Sequence, residues 1–142
     1  MQQGKTLVLA ALLLMLGCTP QPPASDRLYQ ELGGQPGLTR IVEGMLLNVA
    51  RDGRIRHYFA NVDIARLRSL LIQKFCADAG GPCRYEGASM AESHRGLNLQ
   101  PADFNALVED LQLAMQREDI PERAQNALLA RLAPQRGQVI RQ

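Results

Sequence analysis

The stretch Met90-Ala-Glu-Ser-His94-Arg-Gly96 puts one of the chain's two histidines on a short turn that carries its own start and stop signals. Ser89 and Glu92 have the Ser-x-x-Glu spacing of a capping box, and Gly96 suits the left-handed residue that ends a helix. An imidazole whose backbone is held at both ends keeps a fixed direction. A neutral imidazole nitrogen held that way is what a haem iron needs as its proximal ligand. Taken alone, the same pattern also describes an ordinary, partly buried histidine. His57 lies in a connection two residues before Phe59 and is expected at the surface.

The elements that must position His94 read as helices. A first short one covers Asp26 to Leu32, with Ser25 or Asp26 as its cap and Gly33-Gly34 as its stop. Gln35-Pro36 opens the next, where Leu38, Ile41, Val42, Met45, Leu46 and Val49 recur at three- and four-residue intervals. Asp52-Gly53 breaks it, and Asp63 caps a third helix whose apolar face is Ile64, Leu67, Leu70, Leu71 and Phe75. Pro101 starts a fourth, with Phe104, Leu107, Val108, Leu111 and Met115 inward. Pro121 starts a fifth, with Leu128, Leu129 and Leu132 inward and Pro134 weakening its end. No stretch reads as a strand. The composition agrees, being 46% apolar with 4% aromatic residues and no tryptophan, which suits an aliphatic helical core.

Such helices could close into a bundle without a cofactor. The segment from Gly80 to Leu99 argues otherwise, because a plain bundle rarely keeps so long a connection with a single short turn in it. The order Leu28-Tyr29-x-x-Leu32-Gly33-Gly34, Tyr58-Phe59-Ala60, Arg66-Leu67-Arg68, Gly80-Gly81-Pro82, Tyr85, Met90, His94-x-Gly96 and Leu132-Ala133-Pro134 resembles the group I truncated haemoglobins, from about Leu28 to Val139. The resemblance implies an all-α fold, the two-over-two helical sandwich around haem b.

It further implies that His94 binds the iron and that Phe59 packs on the porphyrin plane. Tyr85, Met90, Leu99, Phe104 and Leu107 fall on haem-contact positions, with Phe75 joining them from the third helix. Arg66, Arg84 and Arg95 are candidate partners for the propionates. On the distal side the chain departs from the family. Leu46 stands where oxygen-stabilising members commonly carry Tyr, Leu71 where they commonly carry Gln, and Leu67 and Leu70 add apolar groups. Lys74 could supply a donor there, though its long stem favours a propionate or solvent. The expected function is binding of diatomic ligands (oxygen, nitric oxide, carbon monoxide), with nitric-oxide dioxygenase or peroxidase chemistry as a side activity and an unnamed redox partner. The alternative is a haem-free helical lipoprotein acting as an interaction module.

The first 25 residues point to export. Lys5 precedes an apolar run from Leu7 to Leu16, the length of a secretory core rather than of a membrane span. Met15-Leu16-Gly17-Cys18 resembles a bacterial lipobox, with Met and Leu in place of its commoner residues, so cleavage by an ordinary signal peptidase stays open. This divides the chain into a signal peptide (1–17), a Pro-rich tether (18–25) and one globular domain (26–142). Lipidation of Cys18 would anchor it from the periplasm, and Thr19 in place of the retaining Asp favours the outer membrane. Cys76 and Cys83, seven apart across the Gly80-Gly81-Pro82 turn, are expected to form a disulfide in an oxidising compartment. A zinc pair is the rival, with no second pair of ligands nearby. A net charge of +2, dispersed along the chain, gives no footprint for nucleic acid.

Overall fold

The computed structural model describes residues 26–142, which form six α-helices and two 3-10 turns with no strand among them. The expected signal peptide, Cys18 and the tether lie outside the described residues.

α1 (Arg27–Glu31) runs from Asp26 to Leu32, where Gly33 and Gly34 take φ of 86° and 61°. These left-handed values favour glycine, and they turn the chain directly into α2 (Gly34–Arg51), with Pro36 inside its first turn. α2 buries Leu38, Ile41, Val42, Met45 and Val49 as their spacing predicts, while Leu46 is half-buried. Each such side chain removed from water contributes roughly 1.5–3 kcal/mol, so this one stripe carries much of the fold. A 3-10 turn, Arg56–Phe59, fills the connection. Asp63 then caps α3 (Ile64–Asp78), its carboxylate accepting from the Arg66 amide at 3.0 Å.

The face of α3 differs from its expected one. Ile72, Phe75 and Cys76 are buried, Leu67, Leu70 and Leu71 are half-buried, and Ile64 is 45% exposed. The reason is positional. The C-terminal half of α3 reaches the core shared with α2 and α6, whereas Ile64 and Arg68 border an open cavity.

Beyond α3 the Gly81 amide donates to the Cys76 carbonyl at 2.8 Å. A Cβ on Gly81 would lie 2.5 Å from the Tyr29 ring and 2.7 Å from the Cys76 sulfur, so this close turn takes only glycine. The structure pairs the Cys76 and Cys83 sulfurs across it, with Cα atoms 5.7 Å apart. One short helix, α4 (Met90–His94), follows in the long connection. α5 (Pro101–Arg117) opens on its proline, and α6 (Glu122–Leu132) gives way at Pro134 to the 3-10 turn Ala133–Gln138.

α5 also turns a somewhat different face inward. Leu111 and Met115 are buried, but Phe104, Leu107 and Val108 are only half-buried, and Ala106, Asp110 and Ala114 occupy the deepest remaining positions. Small residues explain this, since a Cβ on Gly44 of α2 would sit 3.3 Å from that of Ala114, close enough for the two helices to meet backbone to backbone. Asn48 joins the same helices by donating to the Asp110 carbonyl at 2.9 Å and accepting from Arg117 at 2.8 Å. The Asp110 side chain is buried with one carboxylate oxygen unpartnered, and burial, with Asp52 adding to it, pushes its carboxyl above the usual range.

On α6, Leu128 is buried together with Ala124 and Gln125, and Leu129 and Leu132 pack half-buried against the core. A smaller cluster of Val49, Ile55 and Ala106 carries Tyr58, Phe59 and Leu107 at its edge.

Candidate functional site

The turn that carries His94 begins with a complete capping box. The Ser89 amide and hydroxyl donate to the Glu92 carboxylate at 3.0 and 2.7 Å, and the Ser89 hydroxyl oxygen accepts from the Glu92 amide at 3.2 Å. Those bonds hold the Glu92 carboxyl below its ordinary range. His94 Nδ1 lies 2.7 Å from the Met90 carbonyl oxygen. A carbonyl only accepts, so Nδ1 carries the hydrogen and the Nε2 lone pair is left without a partner among the described residues. Upstream, the Tyr85 hydroxyl donates to the Ala88 carbonyl at 2.8 Å and the Glu86 amide to Gln73 of α3 at 3.2 Å, which fixes the approach to α4.

A cavity of about 470 Å³ lies among α2, the Arg56–Phe59 turn and α3. Glu43, Leu46, Leu47, Val49, Ala50, Arg56, Phe59, Ile64 and Arg68 line it. It brings together Leu46 and Phe59 of the expected site residues. His94, Leu67, Leu71, Phe75, Tyr85, Met90, Leu99, Phe104 and Leu107 are not on its wall. Their burial divides them. Phe75 and Leu99 are buried, whereas Leu67, Leu71, Tyr85, Met90, Phe104, Leu107 and His94 are half-buried, like Leu46 and Phe59.

Large apolar side chains left half-covered on α2, α3, α4, α5 and the connections fit a large apolar ligand that would finish covering them. His94 fits the same ligand for another reason. Its Nδ1 is engaged by the Met90 carbonyl, which leaves Nε2 as a single nitrogen donor, and one such donor suits an iron whose equatorial positions a macrocycle fills.

The charged groups are placed less as the sequence suggested. Arg66, Arg84 and Arg95 are all exposed, and none makes an ion pair among the described residues. Arg56 and Arg68 instead reach the cavity, and Glu43 holds Arg68 at 2.8 Å from its Nε. Sequence reasoning passed over Arg56, although its place three residues before Phe59 on one turn was a usable signal. Lys74 meets both oxygens of Asp78, at 2.7 and 2.6 Å, and stands 5.8 Å over the Tyr85 ring, so its ammonium is committed to that carboxylate rather than free to solvent. His57 is exposed and tilts against Tyr58 with ring centroids 4.0 Å apart. The Tyr58 hydroxyl donates to Asp103 at 3.0 Å, and burial, reinforced by that carboxylate, pushes its phenol up.

The bacterial-like globin family matches residues 27–141. Over 113 residues the chain is 31% identical to the group 1 truncated haemoglobin of a Nostoc species, covering 80% of this chain and 96% of that one. The chain belongs to the group 1 truncated haemoglobins. Among solved structures, the Fe(III) truncated haemoglobin of Tetrahymena pyriformis superposes with a TM-score of 0.79 at 26% identity, over 81% of this chain and 98% of that one. The 2/2 haemoglobin of a Synechococcus, solved in the cyanomet state with covalently attached haem, gives 0.75 at 25% identity, over 80% and 97%. This truncated haemoglobin is thus a haem-binding, all-helical globin, and binding of diatomic gases is the general function of its family.

Proposed function

We propose that this globin holds haem b through His94 Nε2 and binds diatomic ligands in a distal pocket that offers them no hydrogen bond. The observation that carries the reading is the Nδ1 contact of His94 with the Met90 carbonyl, which fixes the tautomer a proximal ligand requires. When bound, the haem iron supplies the open coordination position for a gas molecule. The chain supplies the rest. Phe59 offers a ring face to the macrocycle, Met90, Tyr85, Phe104 and Leu107 complete its apolar surroundings, and Phe75 and Leu99 stiffen the wall behind them. Arg56, at the cavity, joins Arg66, Arg84 and Arg95 as a cation available to propionates, whereas Arg68 is already paired with Glu43. Leu46, Leu67 and Leu71 have no donor to give.

The same reading places the protein in the periplasm, anchored to the outer membrane through lipidated Cys18, with Cys76 and Cys83 held as a disulfide and electrons supplied by a redox partner. Lys5, the Leu7 to Leu16 run and the lipobox-like Met15 to Cys18 support the export step, and the pairing of the two sulfurs supports the disulfide. Protein produced with haem available should give a five-coordinate ferrous absorption spectrum, and His94→Ala should lose it. An unchanged spectrum in that variant would refute the assignment, and a parent protein that takes up no haem would leave a haem-free helical module.

A further inference from the structure

The capping box secures His94 from one side only, and the other side is secured by the far end of the chain. Leaving α4, the backbone runs through Gly96, Leu97, Asn98 and Leu99 before α5 begins. The Gly96 amide donates to the Gln142 carbonyl oxygen at 3.1 Å, and the Asn98 amide to the same oxygen at 3.4 Å. In return the Arg141 amide donates to the Leu99 carbonyl at 3.0 Å. Three main-chain bonds thus form a clip between segments more than forty positions apart. Val139 is buried just before it, and the Gln142 side chain braces the tail by donating to the Gly137 carbonyl at 2.9 Å.

The backbone at this junction is strained on both strands of the clip. Gly96, Asn98 and Arg141 have φ of 81°, 47° and 57°. Arg141 and Asn98 are two of the three non-glycine residues with positive φ among those described. Side chains disfavour that region, and such residues persist where the surroundings hold them; they gather where a functional group must be aimed.

We infer that Arg141 and Gln142 are positioning residues for the proximal histidine, acting through their backbone on the segment that leaves His94. The inference rests on the reading of His94 as the haem ligand. With Ser89 and Glu92 fixing the entry and the clip fixing the exit, the five-residue α4, too short to be stable alone, keeps its register and the Nε2 direction. Without the clip, the Leu97 to His94 bond at 3.2 Å is the last backbone–backbone hydrogen bond before Leu99, and only the Gln100 side chain, donating to the Asn98 carbonyl at 2.9 Å, adds to it.

The test uses the full-length holoprotein and two substitutions at one position. Arg141→Pro removes the donating N–H and cannot adopt the positive φ. Arg141→Gly keeps the N–H, relieves the φ and removes the guanidinium. Three readouts are followed: helix content by circular dichroism, amide hydrogen exchange at Gly96 and Asn98, and haem transfer to a scavenging apoglobin together with the ferrous iron–histidine stretching band. In Arg141→Pro, with helix content kept, exchange at Gly96 and Asn98 should rise about tenfold or more, haem transfer should speed by a similar factor, and the iron–histidine band should shift or broaden. Arg141→Gly should match the parent in all three. Faster exchange with unchanged transfer and an unchanged band would overturn the positioning role, and unchanged exchange would overturn the clip itself. A parent that takes up no haem overturns the His94 reading, and the exchange data report on the clip separately.

Discussion

Removing the Ser89 hydroxyl should loosen haem without unfolding the domain. Ser89→Ala takes away the acceptor of the Glu92 amide and one of the two donors to the Glu92 carboxylate, leaving the Ser89 amide as the only remaining arm of the box. Loss of a Ser N-cap costs roughly 0.5–2 kcal/mol. In a long helix that loss is shared with the rest of the element, but α4 has five residues and none of them is buried. The whole cost therefore falls on the population of the turn. A loss of about 1 kcal/mol is a factor of about five, and a ligand that needs the formed turn is weakened by that factor once the formed state is no longer dominant. The assay is haem transfer to an excess of scavenging apoglobin, with thermal unfolding as control. The midpoint should move little, because α4 buries little. A second substitution gives the sign with pH. The Glu92 carboxyl is held low by Ser89, so its contribution is present above the ordinary carboxylate range and lost as pH falls through the folded value. Glu92→Gln keeps a box but not the charge. The parent should hold haem more firmly than Glu92→Gln at neutral pH, and the gap should close in acid. Ser89→Ala releasing haem at the parental rate would refute the reasoning.

Asp110→Asn should stabilise the domain at neutral pH by about 1 kcal/mol, since it removes a buried carboxylate with an unpartnered oxygen. Because burial raises the folded pKa, the parent loses stability as pH rises from the unfolded value to the folded one, so variant and parent should converge in acid; denaturant melts across pH 4 to 8 measure this, and a constant difference counts against it. The ratio of carbon monoxide to oxygen affinity should be high, and Leu46→Tyr should slow oxygen release by about tenfold or more if its hydroxyl reaches the ligand. Stopped-flow displacement of oxygen by carbon monoxide checks both, and slow release in the parent would mean that a donor does reach the pocket. Thiol labelling of exported, denatured, unreduced protein should find neither Cys76 nor Cys83 free, and two labelled thiols would contradict the disulfide.

Helix boundaries were legible because local signals set them: Asp63, Ser89 with Glu92, Pro101 and the Gly33-Gly34 pair each act within a turn of where they stand. Which apolar residues end up covered was less legible. Periodicity identifies a face but not how much of its length meets another element, so it groups Ile64 with Phe75 although one is exposed and the other buried. The α5 pattern locates Leu111 and Met115 but not Ala106 and Ala114, because the approach to α2 is made by Gly44 and Ala114 and small residues weigh little in an apolar pattern. Asp110 was invisible for a related reason, since no spacing distinguishes a buried carboxylate from a solvated one. For Lys74 the sequence suggests a propionate or solvent, whereas its partner is Asp78, four residues on at the ordinary helical spacing for an ion pair.

The two sides of the site are built by different rules, and this decides what each can contribute. In the proposed assignment the proximal side constrains His94 three times over, by the box and the Met90 carbonyl within its own turn and by the Arg141–Gln142 clip from a distant segment. On the proposed distal side Leu46, Leu67 and Leu71 are half-buried, Lys74 is held by Asp78 and Arg68 by Glu43. A side chain already committed to two charge-assisted bonds does not leave them for a neutral diatomic, because the exchange would strand the Asp78 carboxylate in a partly buried setting. On the proposed reading, discrimination between gases falls to size and polarity at an apolar wall. Grip on the cofactor falls, on the same reading, to the proximal bracket. Ser89→Ala, Glu92→Gln and Arg141→Pro should therefore alter haem retention and leave the ratio of gas affinities unchanged, while Leu46→Tyr should do the reverse.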